Sequence, residues 1–414
     1  MRRFDLDTWE EILITITRNK TRSLLTAFGI FWGIFMLVAL MGGAQGMQDK
    51  LQQGFVGFAT NSGFMGTNRT GRAYKGFQQG RAWDLENKDV ERVRRSVSEV
   101  DVITPSLARW GIEAIYNEHK ISGTLKGLYP EYGEIEEPSI IYGRYLNEMD
   151  VRDRRKVCII GKRIYETLFP EGGDPCGKFV EINGIYYQVI GVSMSTGNIS
   201  VQGRSETSII IPFTTMQQNY NFGQKVQLLC YTAKKGYAIS EVEKKVAQVV
   251  KQVHFIHPDD EQAMIILNAE AMFSMMDNLF TGIRILSWIV GLGTLLAGAI
   301  GVSNIMMVTV KERTTEIGIR RAIGARPNDI LQQILSESMV LTSMAGMAGI
   351  SFAVFLLDIV EKAVSEPNAI VHFQISFWEA IGACVLLMVL GLLAGLAPAY
   401  RAMSVKPIEA IRDE

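Results

Sequence analysis

Four long runs without a charged residue constrain this chain more than any other feature of its sequence. No Asp, Glu, Lys or Arg occurs within 23–48, 285–310, 338–357 or 380–400. A helix of about 20 apolar residues spans the roughly 30 Å hydrocarbon core of a bilayer, and every run reaches that length. We therefore predict four transmembrane helices at these positions, the second beginning at residue 284.

The composition agrees with apolar spans joined to a folded, solvated domain. Hydrophobic residues make up 48% of the 414 residues, charged residues 21%, and the mean hydropathy is +0.13. This apolar content excludes intrinsic disorder. With a net charge of -1, the chain has no overall electrostatic attraction for nucleic acid. The four Cys lack CxxC spacing, which excludes a zinc ribbon and a disulfide framework; one extracytoplasmic disulfide stays open.

The first apolar run is preceded by basic residues but is too long for the apolar region of a signal peptide, which covers roughly 7–15 residues. We interpret it as an uncleaved anchor. Residues 1–22 have an amphipathic pattern, in which Leu6, Trp9, Leu13 and Ile16 share a face. This pattern predicts a helix on the inner membrane surface.

The distribution of basic residues predicts the orientation of the spans. Segments 1–23 and 311–337 carry five Lys or Arg each, 401–414 carries three, and 358–379 carries one. Because short cytoplasmic loops are enriched in Lys and Arg, we expect both termini and 311–337 in the cytoplasm. The short loop 358–379 and the long insert 49–283 are expected outside.

The insert has the pattern of an α/β domain. We predict a helix over 84–97 capped by Asp84, a hairpin around Asn117, and a flexible, lid-like stretch over about 57–80. Further strands are expected at 100–107, 157–160, 179–182, 186–191 and 208–211, and further helices at 162–168 and 239–253. The predicted fold class is an integral membrane α-helical protein with four transmembrane helices and a large α/β extracytoplasmic domain on a helical stalk.

The stalk is predicted from helical patterns that continue beyond two of the spans. The pattern at 269–283 leads directly into the second span and on to Glu312, and the first span continues past Gln48 toward Phe55. At 1.5 Å per residue, a helix of about 40 residues is ~60 Å long, about twice the hydrocarbon thickness. We expect the two helices to form a stalk.

Catalytic and metal-binding motifs are weak. GGDPCGK (172–178) matches a phosphate-binding loop, but Phe179 replaces the required hydroxyl residue and a strand follows, which favours a turn. His254 and His257 would share a helical face and could hold a metal, but Pro258 favours a polar surface turn. GxSxG, HExxH and a nucleophilic Cys/His spacing are absent from the sequence. We predict no catalytic residue, no metal site and no cofactor bound by this chain.

Two GxxxG patterns lie within the spans, at Gly29 and Gly33 and at Gly391 and Gly395. Small residues let helix backbones approach closely, so these positions are predicted to pack against another helix. Packing within the chain and dimerisation are equally compatible with the pattern.

The loop 311–337 contains the most informative motif. Glu316 precedes Arg320 by four residues, Gly324 suits a helix C-terminus, and Pro327 suits the start of the next helix. Ile317, Ile319 and Ile323 are too apolar for a loop that contacts nothing. They favour a cytoplasmic partner over a solvated connector.

Several segments resemble the MacB/FtsX-like ABC transporter permease family. The resemblance is carried by KERTTEIGIRRAIGARPNDILQQILSES (311–338), by TRNKTRSLLTAFGIFWGIFMLVAL (17–40), by GLAPAYRAMSVKPIEAIRDE (395–414) and by VCIIGKRIYETLFPEGGDPCGKFVEINGIYYQVIGV (157–192). The order of one span, a large outer domain and three more spans also fits the family.

The resemblance implies a non-catalytic permease subunit that dimerises, with itself or a related permease, and works with an ABC ATPase that holds ATP and magnesium. Because the chain begins about twenty residues before the first span, a separate ATPase polypeptide is expected. Movement of the outer domain would drive efflux or extraction of a substrate outside the inner membrane, with a periplasmic adaptor and an outer-membrane exit protein as further partners. The resemblance also implies an inserted lobe at about 130–225. Its coupling helix corresponds to Glu312, Arg313, Glu316, Ile317, Gly318, Arg320, Arg321 and Gly324.

Two alternatives remain open from the sequence. One is an FtsX-like regulator that transmits ATPase motion to an extracytoplasmic partner, although the insert is larger than the small outer domain of a cell-division FtsX. The other is a membrane-anchored receptor or enzyme without an ATPase. The transported substrate is not indicated by the residues.

Overall fold

The computed structural model describes residues 20–194, 197, 200–365 and 372–405. The chain divides into two compact units. We call Leu51–Asp277 the α/β unit, and Met1–Lys50 together with Asn278–Glu414 the membrane unit. The amphipathic helix predicted over 1–22 and the tail after 405 lie almost entirely outside the described residues.

Ten α-helices are described. In chain order they are α1 Lys20–Gln53, α2 Asn87–Ser96, α3 Glu148–Arg152, α4 Lys162–Leu168, α5 Phe213–Asn219, α6 Ile239–Val253, α7 Ala269–Glu312, α8 Thr314–Ala322, α9 Pro327–Val364 and α10 Phe377–Met403. Helices α1, α7, α9 and α10 are long and apolar enough to cross a membrane. They coincide with the four charge-free runs, which confirms the predicted fold class.

Helix α7 is continuous over 44 residues and passes through Gly282 without interruption. At 1.5 Å per residue it is about 66 Å long. Helix α1 likewise continues to Gln53, beyond the end of its charge-free run. The predicted continuation of both helices past the membrane spans is therefore present.

The membrane unit packs its helices through small residues. A Cβ built on Gly29 would lie 3.2 Å from Cα of Gly298, and one on Gly33 would lie 3.0 Å from the Leu295 side chain. Gly391 and Gly395 lie against Thr342 and Ser338 on α9, and the Ser338 hydroxyl donates to the Gly391 carbonyl at 3.0 Å. Both GxxxG patterns thus contact helices of the same chain.

Twelve strands are described, all in the α/β unit. They are β1 Ser62–Thr67, β2 Leu85–Glu86, β3 Val100–Tyr116, β4 His119–Leu128, β5 Ser139–Gly143, β6 Val157–Gly161, β7 Phe179–Ile182, β8 Ile185–Met194, β9 Ser208–Pro212, β10 Lys225–Val226, β11 Leu228–Ala233 and β12 Met264–Asn268. Ten form one sheet in the order β12-β1-β11-β3-β4-β9-β6-β8-β5, with β7 pairing β3 and β8; β10 pairs with β2.

Strand β3 connects the two halves of this sheet. Its first half, up to Ser106, pairs with β11, and its second half, from Leu107, pairs with β4. A register shift next to Gly111, which has a φ of +67°, separates Trp110 from Ile112 within that second half. The strand predicted at 100–107 and the first strand of the hairpin predicted around Asn117 are therefore one bulged strand.

The core of the α/β unit contains large apolar side chains. Tyr187, Tyr231 and Phe213 are fully buried, together with the inward-facing Val, Ile and Leu of the sheet. Helices α2 and α6 contribute Val90, Val93 and the buried face of the 239–253 segment. The predicted strand 157–160 is buried in full as part of β6.

Most predicted elements of the insert are confirmed, including the hairpin turn at Asn117, which has a positive φ. The predicted N-cap of the first helix is wrong. Helix α2 begins at Asn87 with Glu86 as its N-cap, whose backbone N–H donates to Asp89 at 2.8 Å. Because Leu85–Glu86 pairs with β10, the chain is extended where the helix was expected.

The predicted lid over 57–80 is also wrong in its first part. Ser62–Thr67 is a mostly buried strand with β11 on one side and β12 on the other. A Cβ on Gly63 would meet the Tyr231 ring at 2.6 Å. The small residues that suggested flexibility therefore allow a large aromatic side chain to lie across the strand.

Candidate functional site

The 311–324 segment forms a short helix between two long ones. Helix α8 has Arg313 as its N-cap and Ile323 as its C-cap, and Gly324 follows with a φ of +106°. A left-handed glycine at this position is a common helix end. Pro327 opens α9, and the Arg326 N–H donates to Asp329 at 3.1 Å. The helix limits inferred from Gly324 and Pro327 are confirmed.

Three of the predicted site residues form one ion-pair network. Arg313 contacts the Glu316 carboxylate at 2.9 and 3.0 Å, and Arg320 contacts the same carboxylate at 2.9 Å. The hydrogen bond to Glu316 raises the pKa of Arg313 above its ordinary value. Arg313 is therefore a permanent cation within this network.

Two residues of α9 complete the network. Arg313 also contacts Glu337 at 3.2 Å, and Arg320 donates to Gln333 at 3.0 Å. The Glu337 side chain is only 6% exposed. Breaking a buried ion pair costs about 3–5 kcal/mol, so these contacts hold α8 against α9. The sequence analysis did not identify Glu337 or Gln333. Both residues lie just before the charge-free run 338–357 and are four residues apart, so they share a helix face, and this spacing was the available signal.

Arg321 belongs to a different contact. Its guanidinium donates to the carbonyls of Met403 at 2.9 Å and Val405 at 2.6 Å, at the C-terminal end of α10. A cation at a helix C-terminus is stabilised by the helix dipole. The structure therefore separates Arg321 from the network of Arg313, Glu316 and Arg320.

The apolar residues of α8 divide between two sides. Ile317 and Gly318 are buried, and Ile317 belongs to a cluster with Ile330 and Ile334 of α9. Ile319 is 46% exposed and Ile323 is 83% exposed. With Thr315 and Ala322, these two isoleucines form an exposed surface, which we call the outward face of α8. Glu312 and Gly324 are exposed at either end.

The weaker motifs have structural roles. The 172–178 segment connects α4 to β7, and Gly172, Gly173 and Gly177 have positive φ values, which confirms the predicted turn. His254 does not lie on a helix with His257; its Nε2 is 2.8 Å from the buried carboxylate of Asp89. Among the described residues, no group of three His, Cys, Asp or Glu side chains is arranged to hold a metal.

The cysteines predicted to lie outside are free thiols in the structure. Cys158 and Cys230 are fully buried, and Cys176 is half-buried. Burial raises the pKa of Cys176 to about 11, so it is protonated at neutral pH. A disulfide among these three residues is not present.

Comparison with known proteins identifies two family regions. Residues 23–249 match the MacB-like periplasmic core domain, and residues 288–407 match the FtsX-like permease C-terminal region. The first region alone covers more than half of the chain. The second contains α8 and the buried network around Arg313.

Similar curated proteins include the macrolide export ATP-binding/permease protein MacB of Mannheimia succiniciproducens, 26% identical over 99% of this chain and 61% of that protein. The pyoverdine export ATP-binding/permease protein PvdT of Pseudomonas syringae pv. syringae is 27% identical over 96% of this chain and 58% of that protein. The chain thus spans about three fifths of these relatives. The periplasmic region of MacB from Actinobacillus actinomycetemcomitans aligns with a TM-score of 0.44 at 18% identity, covering 55% of this chain and 98% of that one.

Proposed function

Because this chain belongs to the MacB/FtsX-like family of ABC transporter permeases, we propose that it converts ATP hydrolysis by an ABC ATPase into movement of its periplasmic domain. It is a multi-pass membrane protein of the inner membrane with a permease role. In this proposal the chain itself is non-catalytic, and the movement drives efflux or extraction of a substrate outside the inner membrane.

The proposed orientation follows from the basic residues. Segments 1–23, 311–337 and 401–414 carry most of the Lys and Arg outside the long insert and are placed in the cytoplasm. The α/β unit and the loop 358–379 then lie on the periplasmic side. Helix α8 would face the compartment in which ATP is available.

The outward face of α8 carries the proposal. Two isoleucines, Ile319 and Ile323, are exposed on a helix whose other side is buried against the same chain. A solvated connector has no need of apolar side chains at both positions. An ATPase surface that covers them would remove this apolar area from water, which stabilises a complex.

The buried contacts of α8 supply a route for force. Arg313 links α8 to α9 through Glu337, and Arg321 links it to the end of α10. Movement of α8 by the ATPase would therefore reach two membrane helices at once. Glu312 ends α7 immediately before α8, so the same movement would also act on that continuous helix.

We further propose that two copies associate through α7. Seven positions of this helix within the membrane unit recur at alternating intervals of three and four residues and are all exposed: Leu279, Gly282, Leu286, Ile289, Gly293, Leu296 and Ile300. This is the repeat of a helix–helix seam. Gly282 and Gly293 have open space where a Cβ would be, which allows a second helix to approach closely.

Cross-linking tests this dimer interface. In a Cys384→Ser background, Ile289→Cys is expected to form a dimer on mild oxidation in membranes, whereas Leu393→Cys on exposed α10 is not. Equal cross-linking of both would contradict the seam. A periplasmic adaptor and an outer-membrane exit protein stay predictions from the family resemblance.

Co-purification with a candidate ATPase tests the coupling role. Ile323→Asp places a charge on the outward face without touching the network of Arg313, and we expect loss of the co-eluting ATPase and of its stimulated ATP turnover. Ile323→Val keeps the apolar surface and should retain both. Glu316 and Arg321 are unsuitable as first variants. Glu316 pairs with Arg313, which contacts α9, and Arg321 contacts the end of α10.

The variants must keep their fold for this comparison. Monodisperse elution of Ile323→Asp in detergent, with an unchanged circular dichroism spectrum, would show that the loss is local. If Ile323→Asp retains the ATPase as well as Ile323→Val does, the outward face is not the docking surface and the proposal fails.

A further inference from the structure

The proposed function does not use a large cavity of the α/β unit. It has a volume of about 900 Å³ and lies between α6 and residues 74–75. Its lining combines apolar residues of the floor, including Ile256, Met264 and Ile266, with polar residues of α6, including Lys244 and Gln248. Binding sites for small ligands typically measure 300–1,000 Å³ and combine apolar walls with a few polar groups.

The wall opposite α6 is held in place by aromatic contacts. Tyr74 and Phe77 exchange backbone hydrogen bonds of 2.9 and 3.1 Å around a turn at Lys75 and Gly76. The Phe77 ring stacks on Phe255 at 6.1 Å, and the guanidinium of Arg81 lies 4.1 Å from the Phe77 ring centre. These contacts hold the turn against Phe255.

The edge of the sheet borders this cavity. Strand β12 pairs with β1, as in the partners Met65 and Ile266, and the sheet of the described residues ends there. Met264 and Ile266 line the cavity, whereas the intervening Ile265 is 53% exposed and Leu267 is 48% exposed. A sheet edge with apolar side chains on both faces is a template for an added strand.

The charges around the cavity favour an anionic ligand. Three ammonium groups line it, those of Lys75, Lys244 and Lys251, against the carboxylates of Glu243 and Glu261. Glu243 already accepts a hydrogen bond from the Asn268 amide at 2.9 Å, and Lys251 donates to the Pro258 carbonyl at 2.7 Å. The other two lysines are Lys244 and Lys75, whose ammonium group lies 5.4 Å from the Tyr74 ring centre, and the five charged groups together leave a net charge of +1 for a ligand carboxylate.

We propose that this cavity binds a short extended peptide with an acidic side chain, added as a strand to the free edge of β12. Main-chain hydrogen bonds to β12 would supply affinity, and alternate side chains would enter the cavity beside Met264 and Ile266. The proposal that this peptide is a transported cargo rests on the proposed function. The binding step itself requires no ATPase.

Fluorescence anisotropy with the full chain in detergent tests the proposal. The probe is a fluorescein-labelled heptapeptide in which valine alternates with threonine around a central glutamate. A second probe of the same sequence is N-methylated at alternate residues, so one edge loses its N–H donors. Losing two or three such hydrogen bonds is expected to weaken binding by roughly tenfold or more.

Three variants locate the site. Lys244→Glu reverses a charge in the cavity, and Leu267→Lys adds a charge to the sheet edge. Each variant is expected to bind the unmodified peptide several-fold more weakly. Lys235→Glu, at an exposed lysine outside the cavity, should leave binding unchanged. The proposal would be overturned if both probes bind equally or if all variants bind equally. It would also be overturned if no binding occurs at about 1 mM peptide, since a dissociation constant of that size corresponds to a binding free energy of only about 4 kcal/mol.

Two further results separate this proposal from others. If Leu267→Lys changes the oligomeric state measured by light scattering and no peptide binds, the edge joins copies of the chain and the peptide site is refuted. Peptide binding without ATPase co-elution would retain the site and refute the proposed coupling role. ATPase co-elution without peptide binding would retain the coupling role and refute the peptide site.

Discussion

The two units of the molecule pack differently, although both bury large apolar side chains, such as those of Ile34 and Leu37 in the membrane unit. In the α/β unit, large residues such as Tyr187, Tyr231 and Phe213 are fully buried. In the membrane unit, the helix contacts are made at Gly29, Gly298 and similar small residues, while many large apolar side chains are exposed. The reason is the solvent: water drives large apolar surfaces inward, whereas lipid does not, and helices there associate by close backbone packing.

This difference changes how an exposed apolar residue is interpreted. Along α9 and α10, exposed Leu, Ile and Phe residues are the ordinary surface for lipid. On α8 and on β12, which lie outside the apolar spans, the same residue types require a different explanation. Ile323 and Ile265 are therefore informative, whereas Phe355 by itself is not.

The largest expected effect compares two phenylalanines. Phe213→Ala removes a fully buried ring from the α/β unit and should destabilise it by about 3–5 kcal/mol. Phe355→Ala removes a ring that is 59% exposed on α9 and should cost far less. Urea unfolding of both variants in detergent, followed by intrinsic fluorescence, measures the difference. Similar losses would mean that α9 is buried against another protein.

An intermediate effect is expected at the glycines of α7. Gly298→Ala places a Cβ 2.9 Å from the backbone of Gly29, so α1 and α7 must separate, at a cost of about 1–3 kcal/mol. Gly301→Ala, three residues away, meets no atom within 4 Å and should be neutral or stabilising. Thermal denaturation of the purified variants checks this pair. A stable Gly298→Ala protein would contradict close packing of α1 and α7.

The smallest expected effect is a pH dependence in the α/β unit. Burial acts to raise the pKa of Asp89, but hydrogen bonds from His254 and Glu86 outweigh it, and the net pKa is below the ordinary 3.8. The ionised carboxylate therefore stabilises the fold above pH 3.8. This contribution, about 1 kcal/mol for one such hydrogen bond, is lost as the pH falls through the lower, folded-state pKa.

Asp89→Asn should lose stability at neutral pH and show a shallower decline between pH 4 and pH 2 than the parent protein. Unfolding curves recorded across that range measure the slope. An identical decline in both proteins would assign the acid sensitivity to other carboxylates.

Much of the fold follows from local pattern. The charge-free runs located four helices, and the residues Gly324 and Pro327 located the ends of α8 and α9. These features could be predicted because each depends on hydropathy or on backbone preferences within a few residues. The 57–80 stretch was misjudged because its strand is defined by β11 and β12, which lie about 165 to 200 residues further along the chain.

The candidate site was only partly predictable for the same reason. The family resemblance assigned Arg313, Glu316, Ile317 and Arg321 to one coupling helix, but the sequence did not indicate which contacts each residue makes. In three dimensions Ile317 is buried, Arg321 contacts the end of α10, and Arg313 contacts Glu337, 24 residues away. Ile319 and Ile323 carry the large apolar side chains of the outward face.

The sequence by itself determined that this chain crosses a membrane four times, carries a large α/β insert and has a short amphipathic helix between two spans. Those properties depend on runs and periods of residues along the chain. Tertiary structure alone decided which residues of that helix face outward, that Lys126 is buried with Ser200 and Gly203 as its hydrogen-bond partners, and that β12 ends the sheet beside a cavity. Each of these depends on neighbours distant in sequence, which a local pattern does not specify.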